Sequence, residues 1–447
     1  MKTRILRAAA LLLSLACLIL PAAAAGEAVA LRGIAEDSVP DANGIGAAAV
    51  WNIENETFVY EHNVDAPLAP ASLTKLMTAV CAYEVLGGRM DETLTVEYGM
   101  IAAASGNQVG YYVGETVTVR DLFGGLLTRG ANDCAYLLAY AADGGTDAFV
   151  ARMNEKAAAL GMSATVYKNP TGMNAEGAVT TARDSIRIAA AFHAIPALTA
   201  LSSSVQYEMP ATNKAAARII YNRNALVSRV SETGYFDARV TGLNAGSTVE
   251  SGYYAASAVG SETLHYVIAV LGAAEAEGRN LAYTYTSKLA DYALSRFGYI
   301  EVIKAAGAVC ELPVTLSSTA DYVALVPATS LTLYLPLSTD VDTELVKTVR
   351  LDHESLEAPV EAGRAVGVYS VSRGGELLGS VDLVTKNALP RSEFLVVLRS
   401  IEDFTTGVFF LSTVAAAVVL TLLYFLIRAL MRRREGRRGA PRHYRSR

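Results

Sequence analysis

The most informative stretch of the chain reads Leu68-Ala69-Pro70-Ala71-Ser72-Leu73-Thr74-Lys75-Leu76-Met77-Thr78-Ala79. From Ser72 to Leu86 good helix formers alternate with apolar residues three and four apart, which predicts a buried helix. Ser72 and Lys75 then lie on one helical face, where a lysine kept neutral by burial can accept the serine proton. On its own the pattern equally fits a capped helix with a solvated lysine, because both residue types are common.

Strand and helix patterns surround this helix. Two runs rich in β-branched and aromatic residues, 47–52 and 57–61, predict an opening hairpin. Helical patterns separated by Gly and Asn follow at 119–127, 133–142, 146–160 and 181–192. Strand patterns return at 239–243, 253–259 and 264–271, and a last helix is predicted at 279–296. Strands on both sides of a helical insert predict an α+β domain with an antiparallel sheet over residues 38–300.

The pattern changes in the C-terminal part of the chain. Short alternating stretches at 322–326, 331–337 and 366–371 are broken by Gly, Pro and Asp. They predict a small separate β-domain at 306–398.

The N-terminus has the features of an exported protein. Lys2, Arg4 and Arg7 precede an apolar run that ends in small residues at Ala25, which is typical of a secretory signal peptide at 1–25. An uncleaved anchor is the alternative, although the run is short for spanning a membrane. A lipoprotein site at Cys17 is disfavoured because the apolar run continues beyond it.

A second apolar run, 407–427, carries no charge and is long enough to cross a hydrocarbon core of about 30 Å, so it predicts a transmembrane helix. Six arginines follow it between 428 and 438, and the positive-inside rule puts the basic tail, 428–447, in the cytoplasm. We therefore expect a single-pass protein of the cell membrane with an extracytoplasmic catalytic domain.

The charge and the metal-binding residue types exclude several function classes. Subtracting the three cations of 1–25 and the net +8 of 428–447 from the formal −6 leaves about −17 for the exported part, which argues against a nucleic-acid partner.

Cys81, Cys134 and Cys310 are widely spaced and the five histidines are scattered, so neither a disulfide framework nor a zinc site is predicted. No phosphate loop or dinucleotide fingerprint occurs, and we expect no cofactor. Cys134 is expected to be a buried core thiol.

Residues 68–79 resemble the active-site serine segment of the low-molecular-weight penicillin-binding D-alanyl-D-alanine carboxypeptidases. Further matches follow in the family's order: Gly114-Glu115-Thr116-Val117-Thr118-Val119-Arg120-Asp121-Leu122, Ala131-Asn132-Asp133, Asn169-Pro170-Thr171-Gly172 and Thr181-Ala182-Arg183-Asp184. The resemblance covers about 40–300 strongly, and 306–395 resembles the β-domain that this family carries before its membrane anchor.

The resemblance implies a β-lactamase/DD-peptidase-like catalytic domain with a helical subdomain. It also implies removal of the terminal D-alanine of peptidoglycan stem peptides through an acyl-Ser72 intermediate, with Lys75 as base and β-lactams as inhibitors.

The family's second motif, Ser-x-Asn, is matched by Gly130-Ala131-Asn132, which keeps the asparagine and lacks the serine hydroxyl. The sequence also contains an exact match, Ser105-Gly106-Asn107. It precedes the matching segment 114–122, whereas the family's second motif follows that segment. We interpret that tripeptide as coincidental. The alternative is a rearranged loop that uses it.

The third motif, Lys-Thr-Gly on a strand edging the cleft, is matched by Asn244-Ala245-Gly246, which keeps only the glycine. The resemblance implies substrate binding by 244–247 and an oxyanion hole formed by the amides of Ser72 and Ser247. Losing the lysine removes a charge-assisted contact of roughly 1.5 to 3 kcal/mol, which corresponds to about ten- to a hundredfold or more. Arg239 is an odd number of residues from Asn244, so a regular strand would direct it to the opposite face.

Three hypotheses follow from these altered motifs. The first is a serine-type D-alanyl-D-alanine carboxypeptidase with Ser72, Lys75 and Asn132 as catalytic residues, since oxyanion donors are often the largest contribution. The second is a catalytically impaired relative that binds cell-wall peptide or an envelope protein. The third is a serine hydrolase with another substrate.

Overall fold

The computed structural model describes residues 39–230 and 234–438, with side chains as far as residue 432. The predicted signal peptide and the end of the basic tail lie outside these residues. The described residues divide into two compact units, 39–298 with Tyr334–Thr339, and Tyr299–Leu333 with 340–438.

The first unit is built on an antiparallel sheet with the strand order β2-β1-β9-β8-β7. The strands that precede residue 298 are β1 Ala47–Asn52, β2 Thr57–His62, β3 Thr93–Thr95, β4 Thr116–Thr118, β5 Gln206–Met209, β6 Arg218–Tyr221, β7 Val240–Thr248, β8 Gly252–Gly260, β9 His265–Ala273, β10 Glu275–Ala276 and β11 Arg279–Asn280. Successive residues of a strand face opposite sides. In β1, Ala47 and Ala49 therefore belong to one apolar core, while Ala48 and Val50 belong to another.

Helices cover both faces of this sheet. Their bounds are α1 Thr74–Leu86, α2 Tyr98–Ile101, α3 Val119–Gly124, α4 Asn132–Asp143, α5 Thr146–Ala159, α6 Ala182–His193, α7 Pro196–Ser202 and α8 Leu281–Arg296. Leu289 and Ala293 of α8 share a core with β1, whereas α1 and α4 to α6 contribute to the other core. α1 is buried on nearly every side, which agrees with its almost continuous apolar sequence.

Side chains cap several of these helices. The Thr118 side chain accepts from the Asp121 amide before α3, and Thr181 does the same for Asp184 before α6. The predicted α+β fold with an antiparallel sheet and a helical subdomain is confirmed.

Strand β7 differs from its sequence prediction. It continues to Thr248, well beyond the predicted end at residue 243, and a bulge lies between Gly242 and Asn244. A bulge breaks the even-odd alternation of side chains along a strand. The number of residues between Arg239 and Asn244 therefore does not tell which face Arg239 lies on. Arg239 in fact precedes β7 and forms ion pairs with Asp237 and Asp291.

The second unit contains a sheet with the strand order β16-β18-β19-β14-β13-β17. The strands from residue 297 onward are β12 Phe297–Ile303, β13 Cys310–Thr315, β14 Tyr322–Pro327, β15 Leu331–Pro336, β16 Val346–Leu351, β17 Leu356–Glu357, β18 Ala365–Arg373 and β19 Glu376–Thr385. Alternate residues such as Leu312, Val314 and Leu325 form its core, and the predicted β-domain is confirmed.

Two helices follow the β-domain, α9 Glu393–Thr406 and α10 Val408–Arg438. Within α10, Val408–Arg432 is long and apolar enough to cross a membrane, with a mean hydropathy of 2.4 in its most apolar window. Residues 408–427 of the predicted span, 407–427, lie on this helix. α9 was not predicted, and it begins inside the range assigned to the β-domain.

Candidate active site

Ser72 lies on the 3-10 turn Ala71–Leu73 that leads into α1, and this turn contacts β7. A Cβ atom added to Gly246 of β7 would lie 2.5 Å from Ser72 Oγ and 2.8 Å from Ser72 Cβ. Only a glycine allows this approach. Gly246, the one residue of the third motif that this chain keeps, therefore packs directly against the Ser72 hydroxyl.

Lys75 follows one helical turn later and is 4 % exposed. Its Nζ donates a 2.7 Å hydrogen bond to the carbonyl oxygen of Thr171. Burial lowers the pKa of Lys75 to about 8, because the apolar surroundings disfavour the ammonium form. A neutral amine is thus accessible near physiological pH, as a general base requires.

The acceptor for Lys75 comes from the loop 169–172. Asn169 Oδ1 accepts from the amides of Thr171 and Gly172, at 3.1 and 2.8 Å, and from Thr171 Oγ1 at 2.8 Å. Gly172 has a φ of +77°, and a Cβ there would lie 1.7 Å from the Ala71 carbonyl oxygen. The loop therefore touches the Ser72 turn through its backbone. The sequence match at 169–172 gave no hint of this role.

Asn132 begins α4 and is buried, and its Nδ2 donates to the Ser105 carbonyl at 2.6 Å. Its Oδ1 is also buried and has no hydrogen-bond partner among the described residues. Gly130, which stands in the place of the motif serine, ends the π-helical turn Gly125–Arg129 with a φ of +69°. That left-handed conformation favours glycine.

The tripeptide Ser105-Gly106-Asn107 lies directly against this loop. The Asn132 amide donates to the Asn107 carbonyl at 2.7 Å, and Asn107 Nδ2 donates to the Arg129 carbonyl. Asp133 fixes the following residues by accepting from the amides of Val109 and Gly110. The tripeptide is therefore a neighbour of the second motif, and its interpretation as coincidental stays a prediction.

The third motif occupies the outer strand of the sheet, since β7 pairs only with β8 within the described residues. Asn244 and Ala245 lie opposite Ala256 and Ala255 of β8. Asn244 is 6 % exposed, and its buried Oδ1 has no partner in the part of the chain that the structure describes. Ser247 follows Gly246 along the same edge.

A small open pocket lies where the second and third motifs meet. Its walls include Gly130, Asn244 and Ala245 and also two cations, Arg129 and Arg223. Sequence reasoning missed both arginines. Arg129 could have been found from its position beside Gly130, whereas nothing local in the sequence brings Arg223 to this site.

Cys134, two residues after Asn132, is not a reactive thiol. Cys134 is fully buried against the Tyr111 hydroxyl, as predicted, and burial raises the pKa of its thiol well above the usual range. Among residues 39–230 and 234–432, no cluster of His, Cys, Asp and Glu side chains is arranged to hold a metal ion.

Comparisons with known proteins agree with this architecture. The family model described as D-alanyl-D-alanine carboxypeptidase matches residues 38–275, and the one described as penicillin-binding protein 5, C-terminal domain, matches 299–391. D-alanyl-D-alanine carboxypeptidase DacF of Bacillus subtilis is 26% identical over 361 residues, which cover 79% of this chain and 88% of the relative. DacA of Escherichia coli is 27% identical over 343 residues, covering 75% and 81%.

A solved structure shares the fold. The D-alanyl-D-alanine carboxypeptidase DacD of Francisella tularensis superposes with a TM-score of 0.58 at 21% identity, covering 80% of this chain and 96% of that one. With the first family model matching more than half of its length, the chain belongs to the D-alanyl-D-alanine carboxypeptidase family of low-molecular-weight penicillin-binding proteins.

Proposed function

We propose that the chain is a serine-type D-alanyl-D-alanine carboxypeptidase that acts on peptidoglycan stem peptides through an acyl-Ser72 intermediate. The observation that carries the proposal is the buried Lys75, whose pKa is lowered to about 8, one helical turn from a serine that rests on Gly246. A solvated lysine would remain protonated at neutral pH and could not act as a base.

In this mechanism neutral Lys75 takes the proton of Ser72 as the hydroxyl oxygen attacks the carbonyl of the terminal peptide bond. The proton then passes to the nitrogen of the departing D-alanine, which leaves the peptide acylated on Ser72. Water hydrolyses that ester and restores the serine. The amides of Ser72 and Ser247 stabilise the oxyanion, and Asn132 is the third catalytic residue.

A second candidate is a catalytically impaired relative that binds cell-wall peptide or an envelope protein. It is favoured by the absence of the motif hydroxyls and ammonium at Gly130, Asn244 and Ala245. The buried Asn244 Oδ1, which lacks a partner among the described residues, is compatible with a site that recognises a peptide without cleaving it.

The two candidates differ in the reactivity of Ser72. We expect intact-mass spectrometry of the full chain in detergent to detect a covalent benzylpenicillin adduct, and we expect the Ser72→Ala variant to carry none. Absence of an adduct at high drug concentration and long incubation would favour the binding role. In that case peptide affinity should be the same with and without Ser72→Ala.

The rate of acylation is expected to depend on pH through Lys75. The reactive amine is neutral only above its pKa of about 8. The rate should therefore rise about tenfold per pH unit below pH 8 and level off above it. Time-resolved adduct formation between pH 6 and 9, with circular dichroism to confirm folding at each pH, tests this. A rate that stays flat or falls across this range contradicts Lys75 as the base.

We also propose that α10 crosses the cell membrane once, with the catalytic unit outside and the basic tail inside. The support is the apolar span Val408–Arg432 and the arginines that follow it. Anchoring would keep the catalytic unit close to newly made peptidoglycan.

A further inference from the structure

The cavity between the second and third motifs has lost the ammonium of the family's motif lysine but contains two other cations. Arg129 and Arg223 both line it, together with Gly130, Asn244 and Ala245. The positions that depart from the family motifs and the two arginines therefore share one space.

Neither guanidinium is neutralised by a carboxylate within the described ranges. Arg129 Nε donates to the Gln108 carbonyl at 2.6 Å, and Arg223 Nη1 donates to Asn107 Oδ1 at 2.9 Å. A guanidinium has five N–H donors, so most donors of each arginine remain available. Arg152 differs, since Asp143 binds it with both carboxylate oxygens.

The two arginines are held in place by one short segment of chain. Asn107 and Gln108, which accept their hydrogen bonds, directly precede the two amides that Asp133 anchors. The Arg223 amide also donates to the Thr128 carbonyl at 3.0 Å, which ties its backbone to the turn that carries Arg129. The positive charge is thus attached to the loop of the second motif.

A buried polar group in the same cavity lacks a partner. The Asn244 side chain is 6 % exposed, and its Oδ1 has no hydrogen bond to any described residue. Buried polar atoms are normally paired, which indicates that a ligand completes this site. The two ends of an amide side chain are interchangeable by rotation, so Asn244 can offer either an acceptor or an N–H donor.

We propose that Arg129 and Arg223 form an anion-binding pair that holds the C-terminal carboxylate of the peptide, in place of the lysine that is absent at position 244. Guanidinium groups bind carboxylates through two parallel hydrogen bonds, which an ammonium cannot do. Asn244 supplies a third, neutral contact. The proposal rests on the proposed function for the identity of the ligand.

The test measures peptide binding without catalysis. The full chain with Ser72→Ala, in detergent, is titrated calorimetrically with diacetyl-L-lysyl-D-alanyl-D-alanine and with the same peptide bearing a C-terminal amide. We expect the acid to bind about tenfold or more tightly than the amide at low salt. Adding Arg129→Gln or Arg223→Gln should remove most of this preference.

Arg89→Gln is the matched control, because Arg89 is an exposed arginine paired with Glu92 away from the cavity. It should leave the preference unchanged, and thermal melts confirm that each variant is folded. Equal binding of acid and amide, no binding of either, or a preference that survives the double substitution Arg129→Gln and Arg223→Gln would overturn the proposal.

The outcome separates this proposal from the proposed function. A penicillin adduct on Ser72 without a preference for the acid refutes the arginine pair alone. The opposite result is a preference for the acid that depends on both arginines, together with a parent chain that forms no penicillin adduct on Ser72. That result supports the arginine pair and refutes the carboxypeptidase.

Discussion

Replacing Lys75 with methionine is expected to slow acylation of Ser72 by benzylpenicillin roughly 10²- to 10⁴-fold, the range that a positioned general base contributes. Methionine fills a similar volume in this buried position but cannot accept the serine proton. The measurement is the rate of adduct formation, followed by intact-mass spectrometry at pH 8.

The Lys288→Met variant serves as the control, because Lys288 is an exposed lysine on α8. It should acylate at the parent rate. If Lys75→Met also acylates at the parent rate while remaining folded, another group takes the Ser72 proton and the assignment of Lys75 is wrong.

The substitution Gly172→Ala should have the largest effect on stability. The new Cβ would lie 1.7 Å from the Ala71 carbonyl oxygen and 2.4 Å from its carbon, and both atoms are backbone that cannot rotate away. We expect a loss of roughly 3 kcal/mol or more in the free energy of unfolding. For a unit of this size that corresponds to a decrease in Tm on the order of 6 to 12 °C.

Gly177→Ala is a matched control in the same region, because Gly177 has the same φ of +77°. Its Cβ would meet only the end of the Lys168 side chain, at 3.4 Å, so the expected cost is the left-handed backbone alone, about 1 to 2 kcal/mol. Calorimetry at a fixed scan rate compares the two variants. Equal decreases in Tm would show that the contact with Ala71 is not tight.

Local sequence patterns predicted the elements whose buried positions follow a regular pattern along the chain. α1 has a nearly continuous apolar sequence, and the alternation in β1 directs Ala47 and Ala48 to opposite cores. Such patterns are informative because each buried position requires an apolar residue, so the order of apolar residues follows the order of buried positions. The family resemblance then assigned Ser72 and Lys75 to one site.

The second half of β7 was beyond local prediction. Residues 244–247 are small or polar, without the β-branched residues that favour strands. They form a strand because Tyr254 and Ala255 of β8 provide partners in register. The bulge after Gly242 likewise depends on this pairing and not on the local sequence.

The contacts around the second motif depend on the path of the whole chain. Arg223 reaches Asn107 across 116 positions in sequence, and Lys75 reaches Thr171 across 96. No short-range pattern encodes such contacts. The apolar positions 394, 397, 398 and 401 do follow a helical period in α9, but that stretch was assigned to the β-domain and its end.

The outer position of β7 has a consequence for how the protein fails when heated. Backbone donors and acceptors on an unpaired strand edge readily join the edge of another molecule, which is a common start of aggregation. Here the turn with Ser72 lies against β7 and depends on the contact between Gly172 and Ala71. We expect that two copies can join through β7 once that turn loosens, so that the lifetime of the heated protein is set by the rate of this first opening.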